Sequence, residues 1–181
     1  MIISVEELRQ YISTDEGDQA LEARLQALEL LIRGYTNNNF QVRGTGRIAD
    51  VVGGRFEVEA LHPYEIGDTL QISGSEKNDG LYTVNETDDH TFRVNEKTRD
   101  EIDLFVTMVE YPADVKLGVV ELLKYDLEKR EKAGIQSETI SRHSVTYQAL
   151  DASNTVQGYP VHLMGFLKRH TKARFGQGLR V

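Results

Sequence analysis

Three groups of residues carry enough chemistry to be weighed first. Gly44-Thr45-Gly46-Arg47-Ile48-Ala49 has the spacing G-x-G-x-x-A. Such glycines let a backbone approach a pyrophosphate, but only between a strand and a helix whose N-terminus receives the charge. Gly53-Gly54 follows within a few residues and leaves no room for that helix, so the stretch reads as β turns. Asn78, Asp79, Asp88 and Asp89 offer the hard oxygens calcium prefers, yet they lack the D-x-[DN]-x-[DN]-G spacing and the closing glutamate of a calcium loop. They read as solvated turn acids. His62, His90, His143, His162 and His170 contain no H-x-x-x-H or H-E-x-x-H pair, and His162 and His170 are too far apart to share a metal. There is no G-x-S-x-G elbow, and Ser141, His143 and Ser144 are neighbours in sequence, which does not make a triad. Glu57 and Glu59 alternate on one strand face, as exposed acids do. With 0 cysteines, thiol nucleophiles, disulfides, zinc ribbons and iron–sulfur clusters drop out. No catalytic residue, metal ligand or cofactor is assigned, and the chain is not expected to be an enzyme.

What does stand out is charge. The net charge is -8, unevenly spread. Residues Gln41–Glu110 carry fifteen acids and seven bases, whereas Pro160–Val181 carry five bases (Lys168, Arg169, Lys172, Arg174, Arg180) and no acid. So acidic a chain is a poor non-specific ligand for DNA. The basic end reads either as a solvated helix terminus favoured by the helix dipole or as a docking arm for an acidic protein surface or nucleic acid. The docking candidates are Lys168, Arg169, Lys172, Arg174, Phe175 and Arg180, since arginine and aromatic side chains are typical anchors.

The elements that must position these residues follow from periodicity. Ser4-Val5-Glu6-Glu7 predicts a capping box and a short helix to about Ile12; Asp18 is placed as the next cap. Leu21, Leu25, Leu28 and Ile32 form a helical stripe over about Gln19–Arg33, with Gly34 as the stop. From Val42 to Val109 helical spacing gives way to five or six short strands, with Gly53-Gly54, Asn78-Asp79-Gly80 and Asp88-Asp89 as turns. Pro112 opens a third helix with Asp114 in its first turn. Val115, Val119, Leu122 and Leu123 make one stripe, and Leu117, Val120 and Leu127 a second; Lys129-Arg130-Glu131-Lys132 and Gly134 close the helix. Residues 135–158 read as irregular apart from the alternating His143–Tyr147. Pro160 starts a last short helix with Val161, Met164 and Leu167 on one face, followed by an extended or mobile tail. The expected fold is α+β: a helical bundle of about four helices (residues 1–40 and 111–181, with the basic tail) interrupted by an inserted small β-barrel or sandwich (41–110). Met1–Glu7 lacks a basic n-region, so no signal peptide is expected, and no window approaches the roughly 20 apolar residues of a membrane span.

The helical parts resemble the head–tail connector, or adaptor, proteins of long-tailed phages and prophages. The resemblance lies in Ser4–Ile12, in Ile32-Arg33-Gly34-Tyr35-Thr36-Asn37-Asn38-Asn39-Phe40, and in Tyr111-Pro112-Ala113-Asp114-Val115 through Leu123. It continues through Tyr125, Lys129-Arg130-Glu131, Gly134–Glu138, Ser144–Tyr147 and Gly158-Tyr159-Pro160. The family usually joins its second and third helices more directly, so the β segment is a departure. Within it, Ile66–Gly74 and Asn78–Val84 resemble small barrel modules of various phage proteins. The resemblance implies a homo-oligomeric, dodecameric ring under the portal, lining the DNA channel and linking the capsid to a stopper or tail-completion protein. It implies C-terminal docking on the portal protein, passage of dsDNA without sequence-specific binding, no membrane association, and location at the head–tail interface of the virion after assembly in the bacterial cytoplasm. The competing readings are another neck component such as a stopper, which are mainly β, and a ligand-binding module built on the β segment.

Overall fold

A computed structural model describes residues 1–128, 137–140, 143–146 and 155–173, the two stretches from 137 to 146 and Glu128 by backbone alone. It divides into two compact units, Asn39–Tyr111 with Met1, and Ile2–Asn38 with Pro112–Val181. The expected helical bundle with an inserted module is overturned. Among the described residues the chain is mostly β, built on a closed six-stranded antiparallel barrel, with about 33% helix in four helices. Apolar stripes locate helices but do not say which element dominates, and strand pairings between distant segments leave no local signal.

The barrel strands are β1 (Arg47–Val52), β2 (Arg55–Val58), β3 (Thr69–Ser73), β4 (Gly80–Thr87), β5 (Thr91–Val94) and β6 (Glu101–Val109). Their order around the barrel is β1-β2-β5-β4-β3-β6, with β6 closing onto β1. Gly53 and Gly54 turn the β1–β2 hairpin with φ of 57° and 76°, the left-handed pair that a tight two-residue hairpin requires. Alternation aims Ala49, Val51, Phe56, Val58, Leu70, Ile72, Val84, Phe92, Leu104 and Val106 inward, and these side chains fill the interior. The Phe56 and Phe92 rings stack at 4.6 Å. Tyr64 enters the same core, and its buried hydroxyl donates toward the Thr45 carbonyl at 2.7 Å and the Val106 carbonyl at 3.1 Å. Desolvation there pushes its phenol up to about 12.

In the other unit, α1 is one turn, Val5–Leu8, shorter than expected; the Ser4 hydroxyl accepts from the Glu7 N–H at 3.1 Å. Helix α2 spans Asp18–Thr36 and buries Leu21, Leu25, Leu28 and Ile32 as the stripe requires. Asp18 does not cap it: Gly17 holds that position, and the Asp18 carboxylate pairs with Arg9 at 2.6 Å. Nor does Gly34 stop it. The helix runs on until Asn37 adopts the left-handed conformation at φ 49° and returns its N–H to the Arg33 carbonyl, which asparagine tolerates. Helix α3 (Ala113–Glu128) buries Val115, Val119, Val120, Leu122 and Leu123, but Leu117 faces out. The residues expected to close it lie outside those described. Two ribbons follow, β7 (Ser137–Ile140) with β8 (His143–Thr146), and β9 (Thr155–Val156) with β10 (Tyr159–Pro160). The final helix is a 3₁₀ helix, Val161–His170. Because side chains three apart eclipse in that geometry, Met164 and Leu167 are buried in line and His170 continues the row. Among the described residues, no helix is long and apolar enough to cross a membrane.

Candidate functional site

The candidate docking residues begin where the 3₁₀ helix meets the end of α2 and the start of α3. Pro112 offers its carbonyl to the N–H groups of Val115 and Lys116, which fixes the first turn of α3 and sets Asp114 at its positive end. Asp114 Oδ2 lies 2.8 Å from His170 Nε2 and 3.3 Å from Arg169 Nε. A carboxylate can only accept here, so His170 carries its proton on Nε2. Partial burial works against ionisation of Asp114. The hydrogen bond from His170 and the charges of His170 and Arg169 outweigh it, holding the carboxyl below its ordinary range.

The polar end of α2 receives the chain that follows. The Lys172 N–H donates to the Thr36 carbonyl at 2.8 Å, one of the carbonyls a helix end leaves unpaired. Asn38 Nδ2 donates to the His170 carbonyl at 3.1 Å, and Asn37 Nδ2 to the Ala173 carbonyl at 3.2 Å. The Thr171 hydroxyl donates back to Leu167 at 3.1 Å. Residues 169–173 are thus held at both backbone and side-chain level. Of the candidates, Lys168, Arg169 and Lys172 come together on this exposed shoulder. Arg169 leans on Asp114 but stays 72% exposed, and such a pair contributes little energy. Arg174, Phe175 and Arg180 lie outside the described residues.

Histidine scatter and helix-dipole reasoning place His170 and Asp114 separately, because nothing local connects residues 56 apart. Likewise Thr36-Asn37-Asn38-Asn39 reads as a polar loop, when two of its amides hold the root of the basic segment. The signal is the run of three asparagines at a helix end, two of which supply side-chain donors where carbonyls from another segment can dock.

The other groups have structural work. Arg47 donates to the carbonyls of Gly44, Gly46 and Leu61 at 3.2, 2.8 and 2.8 Å, so the glycine cluster is a strapped turn. The buried Asn78 bonds the Arg99 backbone in both directions and the Glu101 carboxylate. Glu101 also accepts from the Glu76 and Lys77 N–H groups and the Ser75 hydroxyl, and these bonds to its charged form, the Glu76 N–H foremost, lower its pKa. His62 and His90 each lie against a strand carbonyl, of Thr91 and Val58. Among the described residues no group of three or more His, Asp or Glu side chains could hold a metal ion. Comparison with protein-family models gives no match, and comparison with curated proteins gives none either.

Proposed function

We propose that this protein is a structural head–tail connector of a tailed phage. It forms a ring under the portal, lines the DNA channel, and links the capsid to a stopper or tail-completion protein. The observation that carries this reading is the clamped root of the basic segment. Asp114, Thr36, Asn37 and Asn38 hold residues 169–173, so the bases that follow start from a fixed point. A segment with no acid, fixed at its base, suits docking on an acidic protein surface. The likeness of the flanking helices to connector proteins names the portal as that surface. The fifteen acids of Gln41–Glu110, repeated around a ring, would repel DNA phosphates and favour sliding over sticking.

The test is binding to the portal of the same phage by the full chain and by a chain ending at Ala173. That cut spares Met164 and Leu167, which the helical unit needs for its core. The full chain should form a stoichiometric ring on the portal and the shortened one should not. If neither binds, and particles lacking the protein still join heads to tails, the reading fails.

A second reading, another neck component such as a stopper, gains from the mostly β architecture, since stoppers are mainly β. Cross-linking in assembled particles separates the two. A connector links to the portal; a stopper links only to the protein beneath it. The ligand-binding reading loses ground because side chains fill the barrel interior.

A further inference from the structure

We propose that the outer face of β1 and β6 binds the basic C-terminal segment of a second copy of this chain. Ile48, Val52, Ile102 and Phe105 are 56%, 58%, 68% and 43% exposed, and all four lie on these two neighbouring strands. Ile48 and Phe105 are partners in register. The Phe105 ring lies over Gly46, where a Cβ would come within 2.7 Å of it, so the ring is seated on backbone. Acids frame the apolar side chains. Asp50 alternates with Ile48 and Val52, and its carboxylate accepts from the Asp103 N–H at 2.9 Å across the irregularity that also turns out Ile102. Asp100 accepts from the Gly53 N–H at 2.8 Å beside Val52. Arg55 stands across the hairpin from Val52, and Arg47, beside Ile48 on β1, is engaged by the Gly44, Gly46 and Leu61 carbonyls.

The barrel is closed, so β1 and β6 have no free edge for strand addition. A partner must be read by side chains: apolar groups for the patch and bases for its rim. Lys172-Ala173-Arg174-Phe175-Gly176-Gln177-Gly178-Leu179-Arg180-Val181 has that chemistry, with three bases, no acid, and Phe175, Leu179 and Val181 interspersed. The inference rests on the docking role given to this segment above but needs no portal. A neighbouring barrel and the portal then compete for one segment, and portal binding frees the β1–β6 face.

The test is sedimentation of the free protein across a concentration series, without portal. The variants are a chain ending at Ala173 and the pair Ile102→Ser with Phe105→Ser, exposed positions whose change leaves the barrel core alone. The full chain should self-associate with concentration, less so at high salt. Both variants should weaken this about thirtyfold or more, the scale of losing a buried anchor, and a peptide of residues 172–181 should compete. A full chain monomeric to about 100 µM, or association that survives both variants, overturns the proposal. So does protection of the β1–β6 face that is independent of concentration, which would place the contact within one chain. Normal self-association with no portal binding would instead refute the connector reading and leave this one standing.

Discussion

Gly118 in the middle of α3 offers a measurement whose sign the structure fixes. In an exposed helix, glycine to alanine stabilises by about 1 kcal/mol through reduced backbone entropy and better propensity. Here a Cβ on Gly118 would run into Cζ, Cε1 and Cε2 of Phe166, well inside contact distance. Carbon atoms in contact sit about 3.5–4.0 Å apart, so the ring must retreat by roughly 1 Å or more. Phe166 is half-buried and lies between the buried Met164 and Leu167, so its retreat disturbs the row that seats the 3₁₀ helix. Overpacking of this kind costs about 1–3 kcal/mol. Gly118→Ala should therefore destabilise by up to about 2 kcal/mol. With Phe166→Ala already present the clash is gone, and the same change should stabilise by about 1 kcal/mol. The assay is urea unfolding followed by far-UV circular dichroism for the four members of the cycle, compared at equal m-value. If Gly118→Ala stabilises both backgrounds alike, the ring yields freely and α3 does not depend on this close approach.

Three further outcomes are expected. Tyr64→Phe removes a buried hydroxyl from the Thr45 and Val106 carbonyls and should cost about 1–2 kcal/mol in the same assay. Because the folded phenol titrates at about 12 against an ordinary 10.0, its contribution is complete below pH 10 and fades as the pH rises toward 12; a difference between Tyr64→Phe and wild type that grows over that range would contradict it. Asp114→Asn should cost about 1 kcal/mol at neutral pH; since the folded carboxyl titrates below its ordinary 3.8, wild type keeps that advantage above about pH 4 and loses it as the pH falls further, and an advantage undiminished in strong acid would show that charge is not its source.

Legibility in the sequence followed range. Leu21, Leu25, Leu28 and Ile32 are one face of one helix, and their burial was visible from spacing alone. Gly53-Gly54 encodes its hairpin because only adjacent residues take part. Helix ends were read less well. Gly34 looked like a stop, but a glycine costs only about 1 kcal/mol inside a helix, and Asn37 three residues on could adopt the left-handed cap itself. The bundle expectation failed at longer range. Closure depends on β6 pairing with both β1 and β3, and residues such as Thr69 and Val109 share no pattern that announces the match. The 3₁₀ geometry of Val161–His170 was hidden for another reason. Val161, Met164 and Leu167 stand three apart, which suits an α-helical stripe nearly as well, and the row fits the tighter helix only once His170 joins it. In the candidate site, the bases were legible as composition and their anchorage was not.

That anchorage bears on how a basic segment can act at all. Fixing a residue's backbone costs about 1–2 kcal/mol, so a docking segment loses much of its contact energy to its own ordering. Residues 169–173 are already held by the Asp114 carboxylate, the Thr36 carbonyl and the side-chain amides of Asn37 and Asn38. The cost of ordering them is met when the unit folds and does not recur on docking. The arrangement also separates two groups of side chains. His170 bonds the Asp114 carboxylate, with Arg169 at its edge, whereas Lys168 and Lys172 are exposed. Charge reversal at Lys168 and Lys172 should therefore weaken a partner's grip without loosening the root, while Asp114→Asn should loosen the root and leave the outward charges untouched.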